Sequence, residues 1–203
     1  MHTILITGGT GGLGHSVVQR LSREYRCLVF FRSPESWQRL HDAVPAAEGV
    51  ADLKQIAAFA PLYALVHLAG GFEAGATPEV FGRMLESNVM SAVLAFDAAA
   101  PHLSSGGRVV AIGSAASQTH PSGLAAYTAS KAALNAFIQT LAHDLAPKRI
   151  TANALLPTAL ATPAMRSAAM DDLVPLERVS EWIAFLLSEE GSGVTGQLIS
   201  LSA

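Results

Sequence analysis

Hydrophobic positions along this chain follow two alternating patterns. Continuous apolar runs predict buried strands at Thr3 to Thr7, Cys27 to Phe31, Gly49 to Ala51, Ala64 to Leu68, Arg108 to Gly113, Thr151 to Leu156 and Gln197 to Leu201. Between them, helical spacing predicts helices starting near Gly12, Pro34, Leu53, Pro78, Leu124 and Glu177, the one from Pro78 running to about His102. Start signals support two of these: Ser33-Pro34-Glu35 and Thr77-Pro78-Glu79 each read as cap, first-turn proline and first-turn acid. Pro147 ends the Ala-rich helix that carries Tyr127. Strand and helix alternate throughout, which predicts a doubly wound parallel α/β sheet with helices on both faces. Such sheets bind ligands beyond the carboxyl ends of their strands. Those ends are Gly8, Arg32, Asp52, Ala69-Gly70, Ser114 and Pro157.

Bulk properties narrow the field. At 203 residues the chain is expected to be one domain, 1–203, hiding roughly 70% of its unfolded surface. Half the residues are apolar, and the mean hydropathy of +0.35 suits a sheet covered on both faces. No apolar run reaches the ~18 residues of a membrane span. The chain enters a strand at once, so no signal peptide is expected. The net charge is −3 without a basic cluster, which argues against nucleic acid as a partner. The one cysteine, Cys27, reads as a core residue, and the histidines show no metal spacing. A cytoplasmic protein is expected.

The glycine-rich stretch Thr7-Gly8-Gly9-Thr10-Gly11-Gly12-Leu13-Gly14 falls on the first strand-to-helix turn. Such a turn gathers bare N–H groups at a positive helix end and suits a pyrophosphate. Gly9, Gly11 and Gly14 fit the dinucleotide fingerprint, and Gly8, Gly12 and Gly14 fit a wider spacing. Tyr127 and Lys131, four apart, share one helix face. An ammonium beside a phenol favours the phenolate and makes it a better acid–base group. Ser114 ends a strand thirteen residues before Tyr127, where its hydroxyl could donate to a carbonyl. Asn88 lies on the apolar face of Leu85, Val89, Ala92 and Phe96, so it needs hydrogen-bond partners if buried. Arg32 sits eighteen residues past Gly14, where an acid usually selects NAD. An arginine there suits a 2′-phosphate, with Ser33 and Thr10 as hydroxyl donors, and favours NADP(H) over NAD(H).

On these residues the chain resembles the short-chain dehydrogenase/reductase family over nearly its full length. Thr7-Gly8-x-x-x-Gly12-Leu13-Gly14 is similar to that family's glycine motif, and Ala69-Gly70 to the end of its Asn-Asn-Ala-Gly segment. Asn88, Ser114, Tyr127 and Lys131 match its catalytic tetrad in order and spacing. Pro157 matches the turn after the sixth strand, and Val194-Thr195-Gly196-Gln197 the lead into the last. The resemblance implies a Rossmann fold of seven parallel strands ordered 3-2-1-4-5-6-7. It implies an NADP(H)-dependent carbonyl reductase or alcohol dehydrogenase acting on a small molecule. Tyr127 would be the general acid and Lys131 would lower its pKa while holding the nicotinamide ribose. Ser114 would polarise the carbonyl, and Asn88 would hold a water linking Lys131 to solvent. Asp52 and the Leu53 backbone would meet the adenine, although Asp52-x-x-Gln55 also reads as a capping box. Ala69, Gly70 and Gly71 would line the cofactor, Pro157 and Thr158 would lie beside it, and Leu160 and Thr162 would hold its carboxamide. Paired helices across a two-fold axis would give a homodimer or homotetramer, using Ala98, Ala99, Ala129, Ala132, Ala133 and Ala136.

Three departures qualify the resemblance. The polar anchors before Ala69 are replaced by His67-Leu68, with His67 read as a hydrogen-bonded core residue. The Pro-Gly turn is Pro157-Thr158. The substrate segment, 157–177, is short, Ala-rich and broken by prolines, too short for a separate substrate domain. It predicts an open apolar pocket with Met165 and Met170 on one side, Phe72 opposite and a mobile rim around Ala164 to Asp172. Ala69-Gly70-Gly71-Phe72 is similar to dihydropteridine reductases within the family. A nucleotide-binding sensor on the same fold is the alternative, one that would have no need of an acid.

Overall fold

The computed structural model describes residues 1–167 and 173–203. Seven strands form one parallel sheet in the order β3-β2-β1-β4-β5-β6-β7. They are β1 Thr3–Thr7, β2 Arg26–Phe30, β3 Glu48–Val50, β4 Leu62–His67, β5 Leu103–Ile112, β6 Thr151–Pro157 and β7 Leu198–Leu201. The helices are α1 Gly12–Leu21, α2 Pro34–Ala43, α3 Pro78–Leu85, α4 Ser91–Ala99, α5 Ala116–Thr119, α6 Ala125–Asp144, α7 Pro163–Ser167 and α8 Leu176–Leu187. Among the described residues no helix is long and apolar enough to cross a membrane.

Alternation along each strand sorts the core into two layers. Ile4, Ile6, Val29 and Val66 point to one face and pack with Val17 and Leu21 of α1, Leu40 of α2 and Ile183 of α8. Leu5, Leu28, Leu65 and Val109 point to the other and meet Ala92 and Ala95 of α4 and Leu134 and Ile138 of α6.

Two expected helices take other forms. Leu53–Phe59 is a 3-10 helix. Its apolar residues Leu53, Ile56 and Phe59 recur every third position, which matches the three-residue turn of that helix. The helix from Pro78 is also not uniform. α3 passes into a π-helical turn at Glu86–Met90, then into α4, and it closes in a 3-10 turn at Ala100–His102. β5 begins at Leu103, five residues before the expected Arg108.

Candidate active site

The carboxyl ends of β1, β4 and β5 converge beside the starts of α1 and α6. Gly8, at φ +74°, lies so near the β4 loop that a Cβ would come within 2.4 Å of the Ala69 nitrogen. A Cβ on Gly14 would stand 2.3 Å from the Gly9 carbonyl oxygen. These glycines let the first turn close against α1 and β4. Gly11 starts α1 with no side-chain cap, and no acid stands in the first turn. The helix's first N–H groups are therefore open to an anion, and the turn fits the pyrophosphate of a dinucleotide. Thr162 packs on Gly12, with its Cγ2 3.2 Å from where a Cβ would lie. Thr10 sits in the same turn, and Leu13 is buried behind it.

One open cavity gathers Arg32, Leu53, Ala69, Gly70, Gly71 and Phe72, all singled out from the sequence. Arg32 is exposed just past β2. Ser33 caps α2 by accepting the Ser36 N–H and donating to Glu35. Asp52 caps the 3-10 helix through the Lys54 N–H at 2.9 Å. Pro157 ends β6, and its carbonyl accepts the Ala115 N–H, while the Thr158 N–H bonds Leu201. Leu160 forms a parallel bridge with Val174, which closes the base of the substrate segment. Met170 and the part of the expected rim at 168–172 lie outside the described residues. A second groove at the opposite ends of the strands, lined by His2, Tyr63, Arg108 and Arg149, holds none of the candidate residues.

The reactive side chains meet at Gly70. A Cβ there would lie 2.7 Å from Asn88 Oδ1 and 3.3 Å from Lys131 Nζ, so the backbone passes only because this residue is glycine. Asn88 is fully buried in the π turn. Its Oδ1 accepts the Gly71 N–H, and its Nδ2 donates to the Gly71 carbonyl and to Ser130 Oγ, each at 3.0 Å. The extra residue in a π turn rotates Asn88 toward this loop, a device frequent at functional sites. Lys131 is buried, and its Nζ donates to the Ile112 carbonyl at 2.9 Å.

Burial raises the Tyr127 phenol above its ordinary pKa, while a hydrogen bond with Ser114 draws it down. Burial lowers Lys131 to about 8. Lys131 is not among the groups that shift the Tyr127 phenol here; the expected lowering draws on the lysine together with the nicotinamide charge. The ammonium is bonded to β5 and stands 6.0 Å from the Tyr127 ring centre. The phenol therefore stays protonated at neutral pH.

Sequence reasoning missed several supporting groups. Ser130 bridges Asn88 to the Tyr127 carbonyl. Asn135 Nδ2 donates to Ser117 Oγ, which donates to the Ser114 carbonyl. Asn135 stands four residues after Lys131, and that spacing was the available signal. His67 is buried, as expected of a core residue, and it is bonded through Nδ1 to Thr7 Oγ1 at 2.7 Å and through Nε2 to Ser91 Oγ at 3.4 Å.

Comparison with known proteins agrees with this geometry. A family model described as short chain dehydrogenase matches residues 2–172. An uncharacterized oxidoreductase of Methylorubrum extorquens is 28% identical, with 98% of this chain and 95% of that protein covered. A short chain dehydrogenase from Burkholderia cenocepacia, solved in complex with NADP, is 30% identical at a TM-score of 0.87, covering 98% of this chain and 96% of that one. A blue fluorescent protein from a metagenomic library, solved in complex with NADPH, is 27% identical at a TM-score of 0.88, with the same coverage of 98% and 96%. With its sheet order, its glycine turn and this match over most of its length, the chain belongs to the short-chain dehydrogenase/reductase family of oxidoreductases.

Proposed function

We propose that this protein interconverts a small carbonyl compound and its alcohol with NADP(H), with Tyr127 as the proton donor and acceptor. The observation that carries the reading is Tyr127 beside Ser114 at the end of β5, with its phenol held protonated by burial. The nicotinamide dinucleotide supplies or accepts hydride when bound; orientation and the proton fall to the protein. In reduction Tyr127 gives its hydroxyl proton to the carbonyl oxygen, and Ser114 donates a hydrogen bond to the same atom. Lys131, held by Ile112, would hold the nicotinamide ribose. Asn88 fixes the loop at Gly71 and would hold the water that links Lys131 to solvent. The glycine turn of residues 8–14 would receive the pyrophosphate, Asp52 and Leu53 the adenine, and Leu160 and Thr162 the carboxamide. Pro157 and Thr158 line the same side.

Arg32 supports NADP(H) over NAD(H), because an exposed guanidinium just past β2 suits a 2′-phosphate, although the Ser33 hydroxyl beside it is engaged with Glu35 and the Ser36 N–H. Two relatives bound to NADP or NADPH are consistent with this. We read residues 1–203 as one nucleotide-binding domain with 157–177 as its substrate segment, working in the cytoplasm. Exposed Leu85, Met90 and Leu94, beside exposed Ala129, Ala132 and Ala136 on α6, support pairing into a homodimer or homotetramer.

A panel of aldehydes, ketones, quinones and pterins with NADPH tests the reading. Steady NADPH oxidation is expected, with one equivalent of reduced product, an alcohol in the case of aldehydes and ketones. Tight NADPH binding with no turnover on any carbonyl would favour a sensor instead.

A further inference from the structure

We propose that Phe72 is the specificity-determining wall of the substrate site and selects planar aryl carbonyl compounds over aliphatic ones of like size. This rests on the reading of Tyr127 as the proton donor. Phe72 lies against the Tyr127 ring, edge to face, with centres 4.9 Å apart and planes at 73°. It is also 58% exposed. A large apolar side chain left open beside a reactive hydroxyl is the informative kind of exposure.

The loop around Phe72 is built to hold it there. Just before it, the Gly71 N–H and carbonyl both bond Asn88. Just after it, Glu73 makes a two-point pair with Arg83 of α3, at 2.9 and 2.7 Å. Further on, the Gly75 N–H donates to the Gly123 carbonyl, and the Gly75 carbonyl accepts the Ala126 N–H at the start of α6. The same element that carries Tyr127 thus sets the position of Phe72. Gly71 also packs closely on the π turn, since a Cβ there would meet Ser87 Oγ at 2.9 Å. The pair Glu73–Arg83 neutralises its own charge, so Phe72 presents an apolar surface continued by Met84 in the same cavity.

A carbonyl whose oxygen sits at the Tyr127 and Ser114 hydroxyls has its substituent within one ring's reach of Phe72. A flat ring gains an offset-stacked or edge contact there, which a puckered ring of the same carbon count does not.

The test compares kcat/KM for benzaldehyde and cyclohexanecarbaldehyde with saturating NADPH, in the wild type and in Phe72→Ala, Phe72→Leu and Phe72→Trp. The aryl-to-cyclohexyl ratio is expected to fall roughly three- to tenfold in the Ala and Leu variants and to hold in the Trp variant. The Leu variant keeps apolar bulk, so its loss assigns the effect to the ring itself. If both aldehydes are reduced and the ratio is unchanged in the Ala and Leu variants, the inference about Phe72 is overturned and the role of Tyr127 stands. If the wild type reduces no carbonyl of any class, both fail together.

Discussion

Arg32 is exposed beyond β2 and makes none of the ion pairs found among the described residues. Its guanidinium is therefore free to meet a phosphate, and a charge-assisted contact of that kind contributes about 1.5–3 kcal/mol. In Arg32→Ala the preference for NADPH over NADH should shrink by about ten- to a hundredfold, measured by fluorescence titration. Equal affinities in the wild type would contradict the assignment. His67 carries a second prediction. Burial, with Lys131 nearby, lowers it to about 4, so it stays neutral in the folded protein. The unfolded chain takes up its proton near pH 6.5, so stability is lost as pH falls from about 6.5 toward 4. The loss from this residue amounts to about 3 kcal/mol. In His67→Gln that part of the pH dependence of urea unfolding should vanish; identical slopes in the two proteins would refute it. At this scale type and spacing were enough to place Tyr127, Lys131, Ser114 and the glycines near one another. They were silent on how Lys131 is used. Whether an ammonium turns to a phenol or to the Ile112 carbonyl depends on the strand beneath it, and helix spacing does not record that.

Elements determine whether these side chains meet. The π turn at Glu86–Met90 spends helix regularity to aim Asn88 at Gly71. Asn88→Ala leaves the Gly71 N–H and carbonyl without their partner and should cost about 1–3 kcal/mol in urea unfolding. It should also speed hydrogen exchange at Gly71. Unchanged exchange there would mean the loop is held by other contacts. The π turn was not legible beforehand, because the apolar face of Leu85, Val89, Ala92 and Phe96 reads as unbroken helix. The 3-10 helix at Leu53–Phe59 was legible in principle, through apolar positions three apart rather than three and four. The strands were the clearest signal. The inner strands β1, β4, β6 and the second half of β5 are buried on both faces, so each reads as an apolar run whose end marks the site, whereas the short edge strands β3 and β7 are partly exposed.

At the scale of the whole molecule, the sheet order places β1 and β4 side by side, so the glycine turn closes against the β4 loop at Gly8, and Thr7 shares one cavity with the Ala69–Phe72 loop. The exposed apolar residues Leu85, Met90 and Leu94 of α3, the π turn and α4 remain without cover in one chain. Light scattering should give at least twice the 21.1 kDa chain mass, and Leu94→Asp should shift the protein toward one chain. A wild type that scatters as a single chain at micromolar concentration would rule out the paired assembly. The order of the strands followed from the family resemblance, since alternation of strand and helix leaves the crossover point open. We propose that this architecture presents one protonated phenol to a carbonyl at the site where a nicotinamide dinucleotide would bind. Tyr127→Phe tests it most directly, because it removes one hydroxyl and leaves the ring against Phe72 in place. NADPH affinity and the urea midpoint should stay near those of the wild type, while kcat on an active carbonyl substrate falls by about 10²–10⁴-fold. A variant that binds NADPH normally and turns over at the wild-type kcat would contradict the account.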